Sequence, residues 1–485
     1  MIDDFLTTPL LNALRQSSQR KHAAFYAPGH KQGKGVGQNI SSLLGDRLFQ
    51  ADLPELPELD NLFAPEGAIA AAQRLAAQTF GASQTWFLVN GSSCGIVAAI
   101  LATCGAGEKI ILPRNIHQSA IAGLILAGAI PIFINPVYDR SVGLAYNVTP
   151  EAVGSALREH PDTKAVMMLH PTYQGLCSDL RAIAEIVHSY DIPLLVDEAH
   201  GAHFAFHGDL PPSALSVGAD LTVQSTHKTL SSLTQSSMLH LQGSRVSSQG
   251  ISRALQLVQS TSPNYPLLAS LDAARQQMAA AGHKLMARTI AIANTARAEI
   301  ANIPYLSVLD LAMQPGAEYL DPTRLTIDVS RLGMTGFAVD EILHQEYGVT
   351  CELPLLQHLT FIISLGNTRE DIQKLIQACK TLSQSCAKQN SSILQLPTTL
   401  SPNHSISPIS PRQAYFTATE TVPISKAGDR LCGELICPYP PGIPLLMPGE
   451  IITAEAIAYL KQIVAAGGTI TGCNDPTLSS IQALK

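Results

Sequence analysis

From residue 66 to residue 224 the chain alternates between helical stretches and short apolar runs, and that alternation leaves few folds open. Apolar runs fall at 86–89, 109–112, 130–134, 165–169, 193–196 and 221–224. Helical stretches fall between them, at 66–80, 92–104, 117–127, 150–159 and 180–189. The runs are continuous rather than alternating, so both of their faces must be covered, as in a parallel sheet. A strand–helix repeat of this kind predicts a doubly wound α/β domain. In such domains ligands bind at the carboxyl ends of the strands.

The flanks read differently. Residues 1–60 hold one helical pattern, a Gly-rich turn region at 27–35 and a Pro/acid stretch at 52–60 that two prolines keep from being helical. Residues 246–300 are mostly helical. Strands at 324–329 and 360–365 with helices at 338–347 and 369–386 suggest a smaller α+β domain. Residues 387–411 are Ser/Pro-rich and read as a linker. The expected organisation is therefore an N-terminal segment 1–60, a large domain 61–300, a small domain 301–386, the linker, and a C-terminal domain 412–485.

Composition closes off other classes. The net charge is −7 with no basic run, which argues against a nucleic-acid surface. The longest apolar stretch, 119–134, is broken by Gly123, Gly128 and Pro131 and does not suit a membrane span. Nine scattered cysteines without a C-x-x-C pair, and no signal-peptide pattern, fit a cytoplasmic protein. His200, His203 and His207 lack a helix to align them as metal ligands, so no metal is expected.

Chemistry-bearing residues gather just past the strands. After the run at 86–89 comes Asn90-Gly91-Ser92-Ser93. A glycine and two hydroxyls at a helix N-terminus can cradle a phosphate or simply cap the helix. It is not a nucleotide P-loop, because no G-x-x-x-x-G-K-[ST] occurs. Past 109–112 lies His117, which could stack on a planar ligand or cap its helix. Asp197 ends the run at 193–196, followed by Glu198, Ala199 and His200. Past 221–224 come Ser225, Thr226, His227 and Lys228. A lysine there can serve as a nucleophilic amine, or its head can simply reach water. Together these are the parts that pyridoxal 5′-phosphate chemistry needs: a lysine for the aldehyde, a carboxylate for the pyridinium nitrogen, and a phosphate cradle.

In these stretches the chain resembles the fold-type I ornithine/lysine/arginine decarboxylases, in their short bacterial form. The resemblance rests on residues 26–31 (YAPGHK), 87–93 (FLVNGSS), 114–117 (RNIH), 196–203 (VDEAHGAH), 224–228 (QSTHK), 259–263 (QSTSP) and 438–450 (PYPPGIPLLMPGE). It implies an aspartate aminotransferase-like large domain with a mainly parallel sheet, a smaller α+β domain and a small C-terminal domain. It implies that Lys228 holds the cofactor as a Schiff base and that Asp197 pairs with the ring nitrogen. His117 then stacks on the ring and Ala199 packs on its other face. Gly91, Ser92, Ser93, Ser225 and His227 hold the phosphate, with His200 also against the cofactor. Ser260 or Thr261 reaches the phosphate of a neighbouring subunit, which makes the active unit a homodimer or larger. Glu450 is the candidate for the cationic end of the substrate. Ser93 stands where many relatives have Thr, a change that keeps the hydroxyl. The N-terminal wing domain of the large acid-induced relatives is missing, so their decameric assembly is not expected.

The implied reaction is decarboxylation of arginine, lysine or ornithine to agmatine, cadaverine or putrescine. Lys228 and His227 are the candidates for returning a proton to Cα. Transamination, β-elimination or aldol cleavage on the same fold stays open; transamination would want an arginine for the α-carboxylate, Arg324 or Arg331. A catalytically silent cofactor-binding protein is the remaining alternative, against which stand the intact Lys228 and Asp197.

Overall fold

The structure, a computed structural model, describes residues 5–139, 142–311, 316–387, 409–439 and 442–485. The chain forms two compact units, Met1–Ala102 with Leu195–Met286, and Thr103–Leu194 with Ala287–Lys485. Most of the expected linker lies outside the described residues. No described helix is long and apolar enough to cross a membrane.

The strands used below are, in chain order, β1 (Gln84–Leu88), β2 (Lys109–Pro113), β3 (Ile130–Ile134), β4 (Thr163–Leu169), β5 (Leu194–Asp197), β6 (Leu221–Gln224) and β7 (Ser237–Leu241). Two helices matter for the site, α1 (Gly91–Thr103) and α2 (Gln118–Ala127). In the first unit the strand order is β1-β7-β6-β5. β5 and β6 are parallel, whereas β7 is antiparallel to both of its neighbours. Two reversals cancel, so β1, β6 and β5 all point the same way. In the second unit β2 lies between β4 and β3, all parallel. The expected α/β class with a mainly parallel sheet holds.

Strand β7 is the element that the sequence pattern does not announce. It reads Ser-Met-Leu-His-Leu, has no β-branched residue, and follows a Ser/Thr-rich turn. Its strand character comes from pairing with β1, about 150 residues earlier, with Thr85 opposite His240. Tertiary pairing, not local propensity, makes it a strand.

Helix α1 is apolar on nearly every side and buries Cys94 through Ile100. It lies close against the sheet because Gly95 has no side chain. A Cβ at that position would meet Leu88 Cδ1 of β1 at 2.7 Å and Val223 Cγ1 of β6 at 2.8 Å. Gly95→Val is therefore expected to cost about 1–3 kcal/mol by overpacking and to lower the thermal midpoint of unfolding; an unchanged midpoint would refute the close approach.

The second unit carries two more cores. One packs the helices Gly336–Tyr347 and Arg369–Ala387 on a four-stranded antiparallel sheet around Leu325, Ile327, Leu359 and Phe361. The other gathers Cys432, Ile436, Leu446, Ile452, Leu460 and Ile481 near the C-terminus.

Candidate active site

Because β1, β6 and β5 run in one direction, their carboxyl ends deliver three polar clusters to one edge of the first unit. Past β1, Gly91 turns the chain with φ +75° and starts α1. Ser92 is half-buried and Ser93 exposed, so both hydroxyls are reachable. Ser225, just past β6, donates from Oγ to Ser92 Oγ at 2.7 Å. The free N–H groups of α1 point at the same place and favour an anion.

The cradle loop is held by residues for which sequence reasoning found no role. Val89 N–H donates to Gln259 Oε1 (2.8 Å), and Gln235 Nε2 donates to Val89 O. Asn90 Oδ1 accepts from Ser260 N–H at 3.1 Å. Gln235 adopts φ +82°, a left-handed backbone that a non-glycine residue seldom takes. The QSTSP stretch thus buttresses the cradle of its own chain. Ser260 and Thr261 remain exposed.

Lys228 sits on the first turn past β6, half-buried, with Nζ 3.0 Å from His200 Nε2. His200 itself is buried on the turn that leaves β5. Asp197 closes β5, fully buried, with Oδ1 accepting from Ala199 N–H at 3.1 Å. Burial pushes its carboxyl up; the Lys228 charge and the Ala199 N–H pull it back down. A buried carboxylate of this kind is completed by a cationic N–H such as that of a protonated pyridine. His227 donates from Nδ1 to Ser236 O at 2.9 Å, which leaves Nε2 to face a ligand. Burial and the nearby Lys228 hold the ring below its ordinary pKa, with the Ser236 carbonyl opposing. A dianion beside it would restore the second proton. The donor set therefore fits pyridoxal 5′-phosphate: anion cradle, lysine amine and buried acid stand on one edge.

In the second unit, His117 is the N-cap of α2, its Nδ1 accepting from Ser119 N–H at 3.2 Å. The proton is thus on Nε2. The capping reading of His117 holds, and the cap fixes the ring's tautomer. Gly442 O accepts from Gln118 N–H at 3.3 Å, so Gly442 docks on the start of α2.

Arg114, just past β2, locks that docking. Its Nη1 donates to Pro444 O (2.7 Å) and its Nη2 to Leu445 O (3.0 Å) and to both Glu450 oxygens (3.0 and 3.2 Å). Glu450 Oε2 also accepts from Met447 N–H at 2.9 Å. Both partners are largely buried, at 10% and 7% side-chain exposure. The carboxylate read as a substrate anchor is thus engaged within its own unit. A cavity of about 290 Å³ opens beside Arg114 and Asn115, lined also by Thr172, Tyr173, Phe337 and Tyr459. Among the described residues no acidic side chain lines it. Arg324 is buried in the small domain's sheet and Arg331 is exposed.

Comparison with known proteins gives the family. The Orn/Lys/Arg decarboxylase major domain matches residues 8–316, and the C-terminal domain of the same family matches 398–475. The chain belongs to the Orn/Lys/Arg decarboxylase family. It is 39% identical to an arginine decarboxylase of Bacillus subtilis, over 99% of this chain and 98% of that protein. It is 25% identical to lysine decarboxylase LdcA of Pseudomonas aeruginosa, over 94% of this chain and 76% of that one. Among solved structures, lysine decarboxylase A from Pseudomonas aeruginosa superposes with a TM-score of 0.85 at 22% identity, covering 100% of this chain and 81% of that chain. A pyridoxamine-pyruvate aminotransferase from Mesorhizobium loti superposes at 0.54 and 16% identity, covering 70% of this chain and 88% of that one. The fold is that of the fold-type I enzymes, and the chain is a decarboxylase of basic amino acids, a carbon–carbon lyase.

Proposed function

We propose that the chain decarboxylates arginine to agmatine with pyridoxal 5′-phosphate held at the edge formed by β1, β5 and β6. The observation that supports this reading best is Lys228 Nζ at 3.0 Å from His200 Nε2, next to the buried Asp197. Arginine is preferred over lysine and ornithine because the full-length relatives at 37–39% identity are named arginine decarboxylases.

When bound, the cofactor supplies an electron sink for the pair of electrons left on Cα as carbon dioxide departs. The chain's own groups do the rest. Ser92, Ser93, Ser225 and the N–H groups of α1 hold the phosphate. Asp197 holds a proton on the ring nitrogen, and the cost of burying its charge is offset there. Ala199 would pack against one face of the ring. His200 Nε2 can accept a proton from the Lys228 ammonium, which leaves the amine free to attack. Lys228 or His227 would return the proton to Cα. The unit of function is a dimer in which the exposed Ser260 and Thr261 face a second copy. The eight described cysteines are all free, which suits the cytoplasm.

The test is to supply purified protein and cofactor with arginine, lysine or ornithine separately and to measure carbon dioxide and the amine. Arginine is expected to give agmatine at a kcat/KM at least about tenfold above the other two, a difference of about 1.4 kcal/mol in transition-state binding. Preference for lysine or ornithine would overturn the substrate assignment and leave the reaction class standing. No carbon dioxide from any of the three, with cofactor bound, would overturn the reaction class for this chain.

A further inference from the structure

Glu198 lies between Asp197 and Ala199, and nothing in the reaction above uses it. It is fully buried, and no ion pair to it occurs among the described residues. Oε1 accepts from Ala214 N–H at 2.7 Å, and Oε2 accepts from Gln224 Nε2 at 2.7 Å. Gln224 is the last residue of β6, immediately before Ser225. Its Oε1 lies 3.1 Å from His240 Nε2 on β7, and His240 Nδ1 lies 2.8 Å from Thr85 Oγ1 on β1. The chain of bonds is self-consistent: the Thr85 hydroxyl donates to Nδ1, Nε2–H donates to the amide oxygen, and the amide nitrogen donates to the carboxylate. One residue from each strand end or strand of the first unit's sheet is joined in a buried polar seam.

We propose that Glu198 is a positioning residue for the decarboxylation: through Gln224 it fixes the strand end bearing Asp197 and His200 against the strand end bearing Ser225 and Lys228, and so sets the Lys228–His200 spacing. The inference rests on the function proposed above. Past the paired residues of β5 and β6, the backbone joins the two strand ends from Glu198 N–H to Val223 O at 2.9 Å. Beyond that point the two chains turn apart, one toward Gly201 and one into the helical turn Thr226–Thr229. The Glu198–Gln224 side-chain bond adds a second link between the two strand ends. Space there is already tight: a Cβ on Gly201 would come within 2.7 Å of Glu198 Cγ, so the turn has no room to carry a larger residue and shift. The groups facing Glu198 are Ala214 N–H and Gln224, then His240 beyond the amide. Burial pushes Glu198 up to about 8 and His240 down to about 3, so His240 stays neutral and the seam holds no cation.

Three variants of the cofactor-loaded enzyme test this: Glu198→Leu, Glu198→Gln and Gln224→Leu. Two readouts are taken, the split between kcat and KM, and the pH midpoint of the bound cofactor's visible absorbance. Glu198→Leu is expected to lower kcat by about 10–100-fold, with KM changed less than about threefold. Its absorbance midpoint should move by at least about half a pH unit, because the charges around Lys228 are no longer held at the same spacing. Glu198→Gln should restore both, since its carbonyl still accepts from Ala214 and its amide can donate to Gln224 once that side chain turns over and the His240 proton moves to Nδ1, which then donates to Thr85 Oγ1. A folded Glu198→Leu protein with wild-type kcat and midpoint overturns the proposal. So does a Glu198→Gln protein as impaired as Glu198→Leu, which would make the charge, not the bond, the working element. If Glu198→Leu does not fold, Gln224→Leu cuts the same link, and an unchanged midpoint there overturns it equally. The absorbance needs bound cofactor but no turnover, so it decides the role of Glu198 even if the wild-type protein decarboxylates none of the three amino acids.

Discussion

Lys228→Ala is expected to lower kcat by about 10³–10⁴-fold or more while leaving the fold intact. The side chain is half-buried at the rim of the sheet, so truncating it opens no sealed cavity. What it removes is the one amine within 3.0 Å of His200. The visible absorbance of a lysine-bound cofactor should vanish in the same variant, even though Ser92, Ser225 and Asp197 still offer their contacts. His200→Gln keeps the lysine and should cost far less, because Lys228 can shed its proton to water more slowly. A Lys228→Ala protein with more than about a tenth of wild-type kcat would remove the lysine from the chemistry altogether.

The second large effect is on stability. Arg114→Met leaves the Glu450 carboxylate buried with only the Met447 N–H for a partner, and leaves the Pro444 and Leu445 carbonyls unpaired. Breaking a buried ion pair from one side costs about 3–5 kcal/mol. For a unit of this size that corresponds to roughly 6–20 °C in the unfolding midpoint. Glu450→Gln should cost less, since Arg114 keeps both carbonyls and a neutral acceptor. The double variant Arg114→Met/Glu450→Leu should recover much of the loss, because no unpaired charge is then buried; the two carbonyls still cost about 1–3 kcal/mol each. Calorimetry or denaturant titration of the three proteins checks the order. If the double variant is no more stable than Arg114→Met alone, the uncompensated charge is not the source of the loss.

Much of this was readable in the residues. The apolar runs at 130–134 and 221–224, and the helix at 150–159, have the bounds read from the pattern, because each is punctuated by glycine, proline or a capping hydroxyl. The clusters at 91–93, 197–200 and 225–228 were visible because polar residues at the end of a buried strand have no packing reason to be there. What the pattern hides is pairing at long range. Strand β7 carries a histidine and a serine and owes its conformation to β1 and β6. The partners of Glu450 were hidden for the same reason: a conspicuous acid in a Pro-Gly-Glu stretch gives no hint that Arg114, over 300 residues earlier, holds it. His117 carried two readings that its sequence could not separate, and the Ser119 bond shows that it caps the helix. Gln235 carries no motif at all, and Gln259 stood only as the first residue of QSTSP with no role of its own, since supporting a backbone loop takes only an amide in reach.

The place of β7 has a consequence for how the molecule is made. It is the last of the first unit's four strands in sequence, yet it lies between β1 and β6. A nascent chain that has just emerged past Lys228 already contains Asp197, His200, Ser92 and Ser225, but its phosphate cradle and its lysine have no shared sheet to stand on. They come to one edge only when Ser237–Leu241 threads between them and Gln259 closes on Val89. Such distant closure is entropically costly and slow. On the function proposed above, capture of the cofactor would be a late step of synthesis, and an unfinished polypeptide would carry Lys228 without the means to use it.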